Sequence, residues 1–214
     1  MSLRLQARQL ACERDDRWLF QGLDLEINAG EIVRIEGPNG SGKTTLLKIL
    51  SGQLSDYQGE LFWNGTSMRQ ARSNFLANLL YLGHAPGVKA GLTPLENLYW
   101  YQALAGEKRS ETACLGALEN VELAGFEDVP AGQLSAGQQR RVALARLELI
   151  PRSLWVLDEP FTAIDRDGVA ALEARLAAHA RNGGCVLVTT HHELSSSPAL
   201  RRIQLGQGDC GETT

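Results

Sequence analysis

Apolar and polar residues alternate along the first part of the chain, with the period of two that is typical of half-buried β-strands. The alternation runs over residues 3–7 and returns over residues 23–27, after a polar turn. A further strand-like run at residues 59–63 is closed by Asn64-Gly65, a dipeptide that favours a tight turn between strands. These runs predict a small antiparallel β region.

The pattern changes to a helical spacing in the middle of the chain. Apolar residues recur at helical intervals over residues 93–125, and Thr93 opens this stretch as an N-cap that is followed by a proline and an early acid. Gly106 and Gly125 are the expected breaks in this helical stretch. Helical stripes also cover residues 138–150 and 169–180. The sequence therefore predicts a helical lobe in the middle of the chain and another helix near its end.

Short apolar runs without alternation predict strands that are covered on both faces, as in a parallel sheet. Such runs lie at residues 79–82, 154–157 and 185–190, whereas the stretch 71–80 is ambiguous between helix and strand. A weaker strand is predicted near residues 202–205. Strands that alternate with helices indicate an α/β fold.

A single domain accounts for the whole chain. Its 214 residues are enough for one sizeable core, and they contain no internal repeat and no linker-like tract. We expect an α/β core at about residues 1–84 and 151–214, into which the helical lobe is inserted as a subdomain at about residues 85–150.

A glycine-rich segment links a strand-like run at residues 31–36 to a helical stripe at residues 46–50, and it fills the pattern G-x-x-x-x-G-K-[ST]. Its residues are Gly37, Pro38, Asn39, Gly40, Ser41, Gly42, Lys43, Thr44 and Thr45. Glycines let the backbone fold so that successive N–H groups and the positive end of the helix dipole point at an anion. We expect Lys43 to reach the β- and γ-phosphates of a nucleotide, Thr44 to ligate Mg²⁺ and Thr45 to support the neighbouring phosphate.

The strand before this loop carries two charged residues, Arg34 and Glu36. A strand in the middle of a parallel sheet is normally apolar on both faces. These charges therefore either pair with partners or mark a less covered face.

Two carboxylates follow the apolar run at residues 154–157. Open parallel sheets bind their ligands at the carboxyl ends of the strands, so this position favours a ligand contact. We expect Asp158 to hold Mg²⁺, directly or through water. Glu159 lies one residue further and points in another direction, which suits a base that polarises the attacking water.

Composition narrows the range of partners. The formal net charge of −4 argues against nucleic acid, whose binding needs clustered Lys and Arg. No apolar run approaches the roughly 18–20 residues that span a bilayer, and charged residues occupy the N-terminal positions where a signal peptide is apolar. Scattered cysteines without C-x-x-C spacing favour reduced thiols: Cys12, Cys114, Cys185 and Cys210. We expect a cytoplasmic chain whose membrane role comes through a partner.

A third motif precedes the helical stripe at residues 138–150 and consists of Leu134, Ser135, Ala136, Gly137 and Gln138. In the chain, the phosphate loop comes first, the motif at residues 134–138 second and the carboxylate pair at residues 158–159 third. With the motifs in this order, almost the whole chain resembles the ATP-binding-cassette ATPases, whose signature L-S-G-G-Q heads a helix. Ala136 replaces the first glycine, a mild exchange unless that residue needs a positive φ angle. The resemblance implies a P-loop NTPase core with a parallel sheet, a small antiparallel β region and an inserted helical subdomain.

The same resemblance implies ATP and Mg²⁺ as ligands, and a homodimer in which the signature of one subunit contacts the γ-phosphate bound by the other. A Ser hydroxyl and backbone amides at a helix N-terminus favour such an anion site, although they also form an ordinary N-cap. His191 matches the switch histidine that contacts the γ-phosphate. Asp165 matches the aspartate that signals across the dimer, with Ile164 before it in place of the usual leucine.

Two features stay open. The resemblance implies adenine stacking near residue 14, where counting back from the phosphate loop gives Arg14. A guanidinium can stack on a base, and Trp18 and Phe20 are rival candidates. His192 and Glu193 follow His191, and they suggest a metal site only if a third ligand converges with them.

His84 is the clearest departure from the cassette pattern, which has a glutamine there that touches the metal or the attacking water. Together the segments 35–37, 81–84, 95–98 and 189–191 resemble the ATPase subunit of the bacterial cytochrome c maturation system, often called the heme exporter. This resemblance implies a peripheral homodimer on the cytoplasmic face of the inner membrane, bound to an integral permease. ATP hydrolysis would drive heme export or release a heme chaperone.

Other classes of protein remain as alternatives. The ATPase of a different ABC transporter would carry the same three motifs. A small-molecule kinase would share the phosphate loop, but it has no use for residues 134–138. A non-transport cassette ATPase that acts as a clamp usually carries tandem cassettes or a long coiled insertion, and the sequence contains neither.

Overall fold

The structure is a computed structural model that describes residues 3–194, 199–206 and 212–213. The chain divides into two compact units. The first unit comprises Met1–Tyr81, Ser153–Glu159 and Glu173–Thr214, and the second comprises Leu82–Arg152 and Pro160–Leu172. The segment Pro160–Leu172 thus groups with the helical unit, whereas we expected it in the α/β core.

The strands, in chain order, are β1 (Leu3–Arg14), β2 (Arg17–Asn28), β3 (Ile32–Glu36), β4 (Gln58–Trp63), β5 (Thr66–Ser67), β6 (Leu79–Leu82), β7 (Leu154–Asp158), β8 (Cys185–Thr189), β9 (Leu200–Gln204) and β10 (Glu212–Thr213). The helices are α1 (Lys43–Leu50), α2 (Met68–Asn78), α3 (Pro94–Ala105), α4 (Glu111–Glu119), α5 (Ala136–Leu149) and α6 (Arg166–Arg181). None of the helices within the described ranges combines the length and apolar character that crossing a bilayer requires.

The predicted antiparallel β region is confirmed as a sheet of order β2-β1-β4-β5. Its alternating pattern buries one face, where Leu5 lies opposite Ile27 and both are almost fully buried. Asp15 and Asp16 turn the chain from β1 into β2, and both have positive φ angles, as a two-residue hairpin turn of type I′ requires.

A second sheet in the first unit has the order β10-β9-β3-β8-β7-β6, and it confirms the predicted α/β class. Strand β3 pairs in parallel with both β9 and β8, and β8 pairs in parallel with β7. Every residue of β7 and β8 is buried, because the sheet is covered on both faces. The carboxyl ends of β3, β7 and β8 therefore meet at one edge of the sheet. The phosphate loop, the carboxylate pair Asp158-Glu159 and His191 lie at these three strand ends.

The two charged residues of β3 are paired. Arg34 is 8% exposed, and its Nη1 atom lies 3.1 Å from Glu36 Oε1. The Nη2 atom of Arg34 donates a hydrogen bond to the carbonyl oxygen of Thr190 at 3.3 Å. The charges thus belong to a polar network inside the sheet and do not mark an uncovered face.

Helices α3, α4 and α5 pack in the second unit around an apolar core that includes Leu98, Leu118 and Val142, each fully buried. Gly106 ends α3 in a left-handed conformation, as its position in the pattern predicts. Helix α4 ends at Glu119, earlier than the break that we expected at Gly125. The ambiguous stretch 71–80 is the end of α2 followed by the start of β6.

The cysteines occupy separate positions. Cys12, Cys114 and Cys185 are buried thiols, and Cys210 lies outside the described residues. Burial raises the pKa of Cys114 to about 11. A thiol with so high a pKa is protonated at neutral pH and is a poor nucleophile.

Thr93→Ala is expected to lower the free energy of unfolding by about 1 kcal/mol. The Thr93 hydroxyl accepts a hydrogen bond from Glu96 N at 3.2 Å, and the Glu96 carboxylate accepts one from Thr93 N at 2.9 Å. Alanine leaves a first-turn amide of α3 without its acceptor, so the thermal midpoint should fall by about 2–4 °C. Thr112→Ala is the control, because Thr112 is an exposed residue of α4 that caps no helix. Equal midpoints for the two variants would contradict the capping role.

Candidate active site

Three glycines shape the loop between β3 and α1. Gly37, Gly40 and Gly42 have φ angles of +148°, +79° and +92°, in the region that L side chains rarely adopt. A Cβ atom on Gly37 would lie 2.7 Å from Ser41 Oγ and would also press on the carbonyl of Leu205. The fold of the loop therefore requires glycine at this position.

The loop presents several donors to an anion. The Nζ atom of Lys43 donates hydrogen bonds to the carbonyl oxygens of Gly37 at 2.6 Å and Pro38 at 3.1 Å, so its charge lies over the loop. The buried hydroxyl of Ser41 has no hydrogen-bond partner within the part of the chain that the structure describes. With the N-terminus of α1, these groups favour a phosphate.

Asp158 ends β7 with a side chain that is almost fully buried, since the residue is 2% exposed. Its Oδ1 atom accepts hydrogen bonds from Thr189 Oγ1 at 2.6 Å and from Thr44 Oγ1 at 3.3 Å. A carboxylate beside a hydroxyl is a set of hard oxygen donors, which fits Mg²⁺. The structure thus brings Thr44 and Asp158 together.

Glu159 leaves β7 in a left-handed conformation, with a φ angle of +49°. Its N–H group donates to the carbonyl oxygen of Thr189 at 3.0 Å and lies 3.2 Å from Thr189 Oγ1. Non-glycine residues held in this conformation store strain and cluster at functional sites.

The Glu159 carboxylate meets His191, which follows the carboxyl end of β8. Glu159 Oε2 accepts a hydrogen bond from the N–H group of His191 at 3.3 Å, and Glu159 Oε1 lies 3.6 Å from His191 Nε2. The Glu159 side chain is 17% exposed and that of His191 is 71% exposed. A partly covered carboxylate therefore lies beside an accessible imidazole.

The neighbouring His192 has a partner of its own. Its Nε2 atom lies 2.9 Å from Glu173 Oε1, on helix α6. No group of three or more His, Cys, Asp and Glu residues within the described ranges is arranged to hold a metal ion.

The candidates for the adenine contact differ in exposure. Phe20 is 4% exposed and packs in the core of the first unit, so it is not available to stack on a base; this corrects our expectation of it as a rival. Trp18 is 39% exposed on β2. Arg14 forms an ion pair with Asp56 at 2.5 Å, and this hydrogen bond raises the pKa of Arg14. Arg14 and Trp18 both remain accessible for a base.

The third motif forms the N-terminus of α5. Ser135 Oγ accepts a hydrogen bond from Gln138 N at 3.2 Å, and Gln138 Oε1 accepts one from Ser135 N at 2.9 Å. Ala136 is the first residue of the helix, so it needs no positive φ angle and the exchange from glycine carries no strain. A Cβ atom on Gly137 would lie 2.6 Å from the carbonyl oxygen of Ala163. Glycine is therefore required only at the second of the two positions.

Asp165 caps α6 in the second unit. Its Oδ1 atom accepts a hydrogen bond from Gly168 N at 3.0 Å, and this bond lowers the pKa of Asp165. Its Oδ2 atom accepts a hydrogen bond from Arg141 Nη2 at 2.6 Å. Arg141 Nη1 also lies 2.5 Å from Glu122 Oε2. Arg141 thus connects α5 to the start of α6.

His84 lies in the exposed loop that follows β6. The Nη1 atom of Arg140 donates hydrogen bonds to the carbonyl oxygens of Gly83 at 2.8 Å and His84 at 3.4 Å. Arg140 therefore holds the main chain of this loop, while the His84 side chain is exposed.

Sequence reasoning assigned no role to Thr189 or Arg140. Thr189 is fully buried and contacts both Asp158 and Glu159. The sequence feature that could have identified Thr189 is a hydroxyl residue at the end of an otherwise apolar strand. The feature that could have identified Arg140 is its position in the helix. It lies three residues before Ala143 and four before Leu144, which places it on the buried side of α5.

The chain matches known proteins over most of its length. The family described as ABC transporter matches residues 20–162. The cytochrome c biogenesis ATP-binding export protein CcmA of Hahella chejuensis is 58% identical over 202 residues, which are 94% of this chain and 95% of that protein. The protein of the same name from Escherichia coli strain K12 is 53% identical over 205 residues, which are 95% of this chain and 97% of that protein.

Solved structures share the fold. A putative ABC transporter ATP-binding protein from Pyrococcus furiosus has a TM-score of 0.80 at 29% identity, covering 93% of this chain and 96% of that chain. The ATP-binding subunit of an ABC transporter has a TM-score of 0.85 at 21% identity, covering 98% of this chain and 90% of that chain. A dimeric ATP-binding cassette in a post-hydrolysis state with ADP and Pi has a TM-score of 0.82 at 22% identity, covering 97% of this chain and 98% of that chain. These similarities confirm the predicted cassette fold.

Proposed function

Because the chain belongs to the ABC transporter family, we propose that it is the ATP-hydrolysing subunit of a membrane complex for c-type cytochrome biogenesis. Its high identity to two CcmA proteins supports the pathway, because both are described as cytochrome c biogenesis ATP-binding export proteins. The observation that carries the ATPase assignment is the hydrogen bond between Thr44 and Asp158, with Glu159 next in the chain.

The phosphate loop binds the nucleotide. Its backbone N–H groups and the N-terminus of α1 receive the phosphates, and Lys43 exchanges its contacts with loop carbonyls for the β- and γ-phosphate oxygens. Thr44 and Asp158 would hold Mg²⁺, which neutralises negative charge on those oxygens. The buried hydroxyl of Thr189 keeps the Asp158 carboxylate oriented toward Thr44.

Hydrolysis requires a water molecule aligned with the γ-phosphorus. Glu159 polarises this water by accepting its hydrogen bond, so that the water oxygen forms a bond to phosphorus as the bond to the bridging oxygen breaks. The products are ADP and phosphate. His191, which contacts Glu159 in this structure, contacts the γ-phosphate and links it to the base.

We assign the N-terminus of α5 to a second nucleotide, which is bound by a partner copy of this chain. The Ser135 hydroxyl and the amides of the first turn are the donors, and Leu134 and Gln138 flank them. Asp165, held by Arg141, signals across the same interface. ATP then joins two copies head to tail. The pairing of two copies, though not their orientation, is supported by a cassette of the same fold that is described as dimeric.

The homodimer works as a peripheral part of a complex on the cytoplasmic face of the bacterial inner membrane. An integral permease subunit receives the conformational change through the loop at His84. ATP hydrolysis drives the export of heme or the release of a heme chaperone, and the chain meets heme only indirectly.

His84→Gln is expected to keep basal ATP hydrolysis within about 2-fold while it lowers stimulation by the membrane partner by about 5-fold. Glutamine is the usual cassette residue here and still donates and accepts hydrogen bonds, but its side chain has a different shape. The measurement compares phosphate release by the isolated chain and by the reconstituted complex. Unchanged stimulation would remove the specific role of His84.

A deletion and complementation experiment tests the proposed pathway. A strain that lacks this chain should accumulate c-type cytochromes without covalently bound heme, and the wild-type gene should restore them. Covalent heme is measured by peroxidase staining of denatured membrane proteins. Normal amounts of covalent heme in the deletion strain would contradict the proposed pathway.

A further inference from the structure

Arg140 is a buried arginine that donates hydrogen bonds to three main-chain carbonyl groups of the second unit. The residue is 3% exposed. Its Nη1 atom donates to the carbonyl oxygens of Gly83 at 2.8 Å and His84 at 3.4 Å, and its Nε atom donates to that of Pro160 at 3.4 Å. One guanidinium therefore joins helix α5 to two other segments of the chain.

Each of the three joined segments adjoins a proposed functional residue. Arg140 lies in the second turn of α5, the helix that begins directly after Ser135. Gly83 and His84 are the first residues of the loop after β6. Pro160 directly follows Glu159 in the sequence. A restraint on these carbonyl groups is thus a restraint on the chain around both His84 and Glu159.

The geometry depends on a guanidinium. Its planar fork places several N–H donors in fixed directions and is always charged, whereas a lysine ammonium is a compact point charge on a flexible stem. Hydrogen bonds from an ionised donor are stronger than those from a neutral one. Nη1 donates to two carbonyl oxygens and Nε donates to a third, so lysine, with a single ammonium nitrogen, cannot reproduce the arrangement.

Neighbouring arginines of α5 make different contacts. Arg141 pairs with the carboxylates of Glu122 and Asp165. Arg146 lies over the ring of Tyr101, with its Cζ atom 3.5 Å from the ring centroid. Arg146 thus provides a matched control: it is a partly buried arginine of the same helix that is not bonded to Gly83, His84 or Pro160 in any contact that the structure describes.

We propose that Arg140 is a positioning residue that ties the His84 loop and the chain after Glu159 to the helix headed by the signature motif. When the α5 N-terminus engages a nucleotide, Arg140 moves with the helix and carries both carbonyl segments with it. The inference rests on the proposed function, because it assigns to Arg140 the connection between the α5 N-terminus, the His84 loop and the chain after Glu159.

The test compares Arg140→Lys, Arg140→Gln and Arg146→Gln, each assembled with the wild-type membrane subunits. Because the phosphate loop keeps all its residues, KM for ATP should stay within about 2-fold of wild type in both Arg140 variants. Their kcat should fall by about 10-fold or more, and lysine should not rescue it. Arg146→Gln should keep kcat within about 3-fold at a comparable loss of thermal stability.

Hydrogen exchange provides a second measurement on the isolated chain. The amides of Gly83, His84 and Ala85 should exchange at least about 10-fold faster in Arg140→Lys than in wild type or in Arg146→Gln, because the restraint on that loop is lost. If Arg140→Gln does not fold, Arg140→Lys alone decides the result. A kcat for Arg140→Lys equal to that of Arg146→Gln, or unchanged exchange of the three amides, overturns the inference. A wild-type complex that hydrolyses no ATP overturns the proposed function instead.

Discussion

Glu159→Gln is expected to lower the turnover of ATP hydrolysis by about 10²- to 10³-fold, while ATP still binds. Glutamine keeps the size and shape of the side chain, but its amide is too weak a base to polarise the attacking water. The phosphate loop, Thr44 and Asp158 are untouched, so nucleotide affinity should stay within about 3-fold of wild type. Steady-state phosphate release measures turnover, and calorimetric titration measures affinity.

Glu173→Gln is the matched control for this variant. Glu173 is a partly covered carboxylate of the first unit that contacts His192, the neighbour of His191. Its replacement should leave turnover within about 3-fold of wild type, because it has no part in the proposed chemistry. Turnover close to wild type in Glu159→Gln would remove Glu159 from its assigned role as the base.

Gly59→Ala is expected to lower the free energy of unfolding by about 2–5 kcal/mol. Gly59 lies in β4 with a φ angle of +97°, and a Cβ atom there would lie 2.5 Å from the carbonyl oxygen of Gln9 and 2.6 Å from that of Arg8. These are backbone atoms of β1, which cannot rotate away as a side chain can. The thermal midpoint should fall by about 5–15 °C, as measured by calorimetry.

Gly65→Ala separates backbone strain from the steric clash. Gly65 also has a positive φ angle, +78°, but within the described residues no atom apart from those of Gly65 and its two chain neighbours lies within 4 Å of a Cβ built there. This control should lose about 1 kcal/mol, from backbone strain alone. Equal midpoints for Gly59→Ala and Gly65→Ala would show that β1 relaxes around the added methyl group.

Local periodicity predicted most of the strands and helices, because a buried face imposes its own spacing on the residues that form it. The alternation at residues 3–7 and 23–27 became β1 and β2, and the apolar run at residues 154–157 became β7. The order of the parallel sheet could not be predicted in the same way. Ile32 pairs with Leu200, and nothing in either local pattern specifies a partner so distant in sequence.

Contiguous motifs predicted the part of the candidate site that lies within single segments. The phosphate loop needs glycine at fixed positions for backbone reasons, so its pattern is visible in the sequence. Thr189 and Arg140 act through contacts between segments that are distant in sequence, and such contacts have no local pattern. Whether alanine at position 136 causes strain depends on the φ angle of Ala136, and only the structure shows that this residue is helical.

The most direct test of the central claim is to identify what the ATP-bound chain holds in membranes. A tagged Glu159→Gln chain is trapped with ATP, the membranes are solubilised gently, and the purified material is analysed by mass spectrometry and by heme absorbance. The account predicts integral membrane subunits of a c-type cytochrome biogenesis complex, together with heme. Recovery of an unrelated permease without heme would contradict the assigned pathway, although the ATPase chemistry would stand.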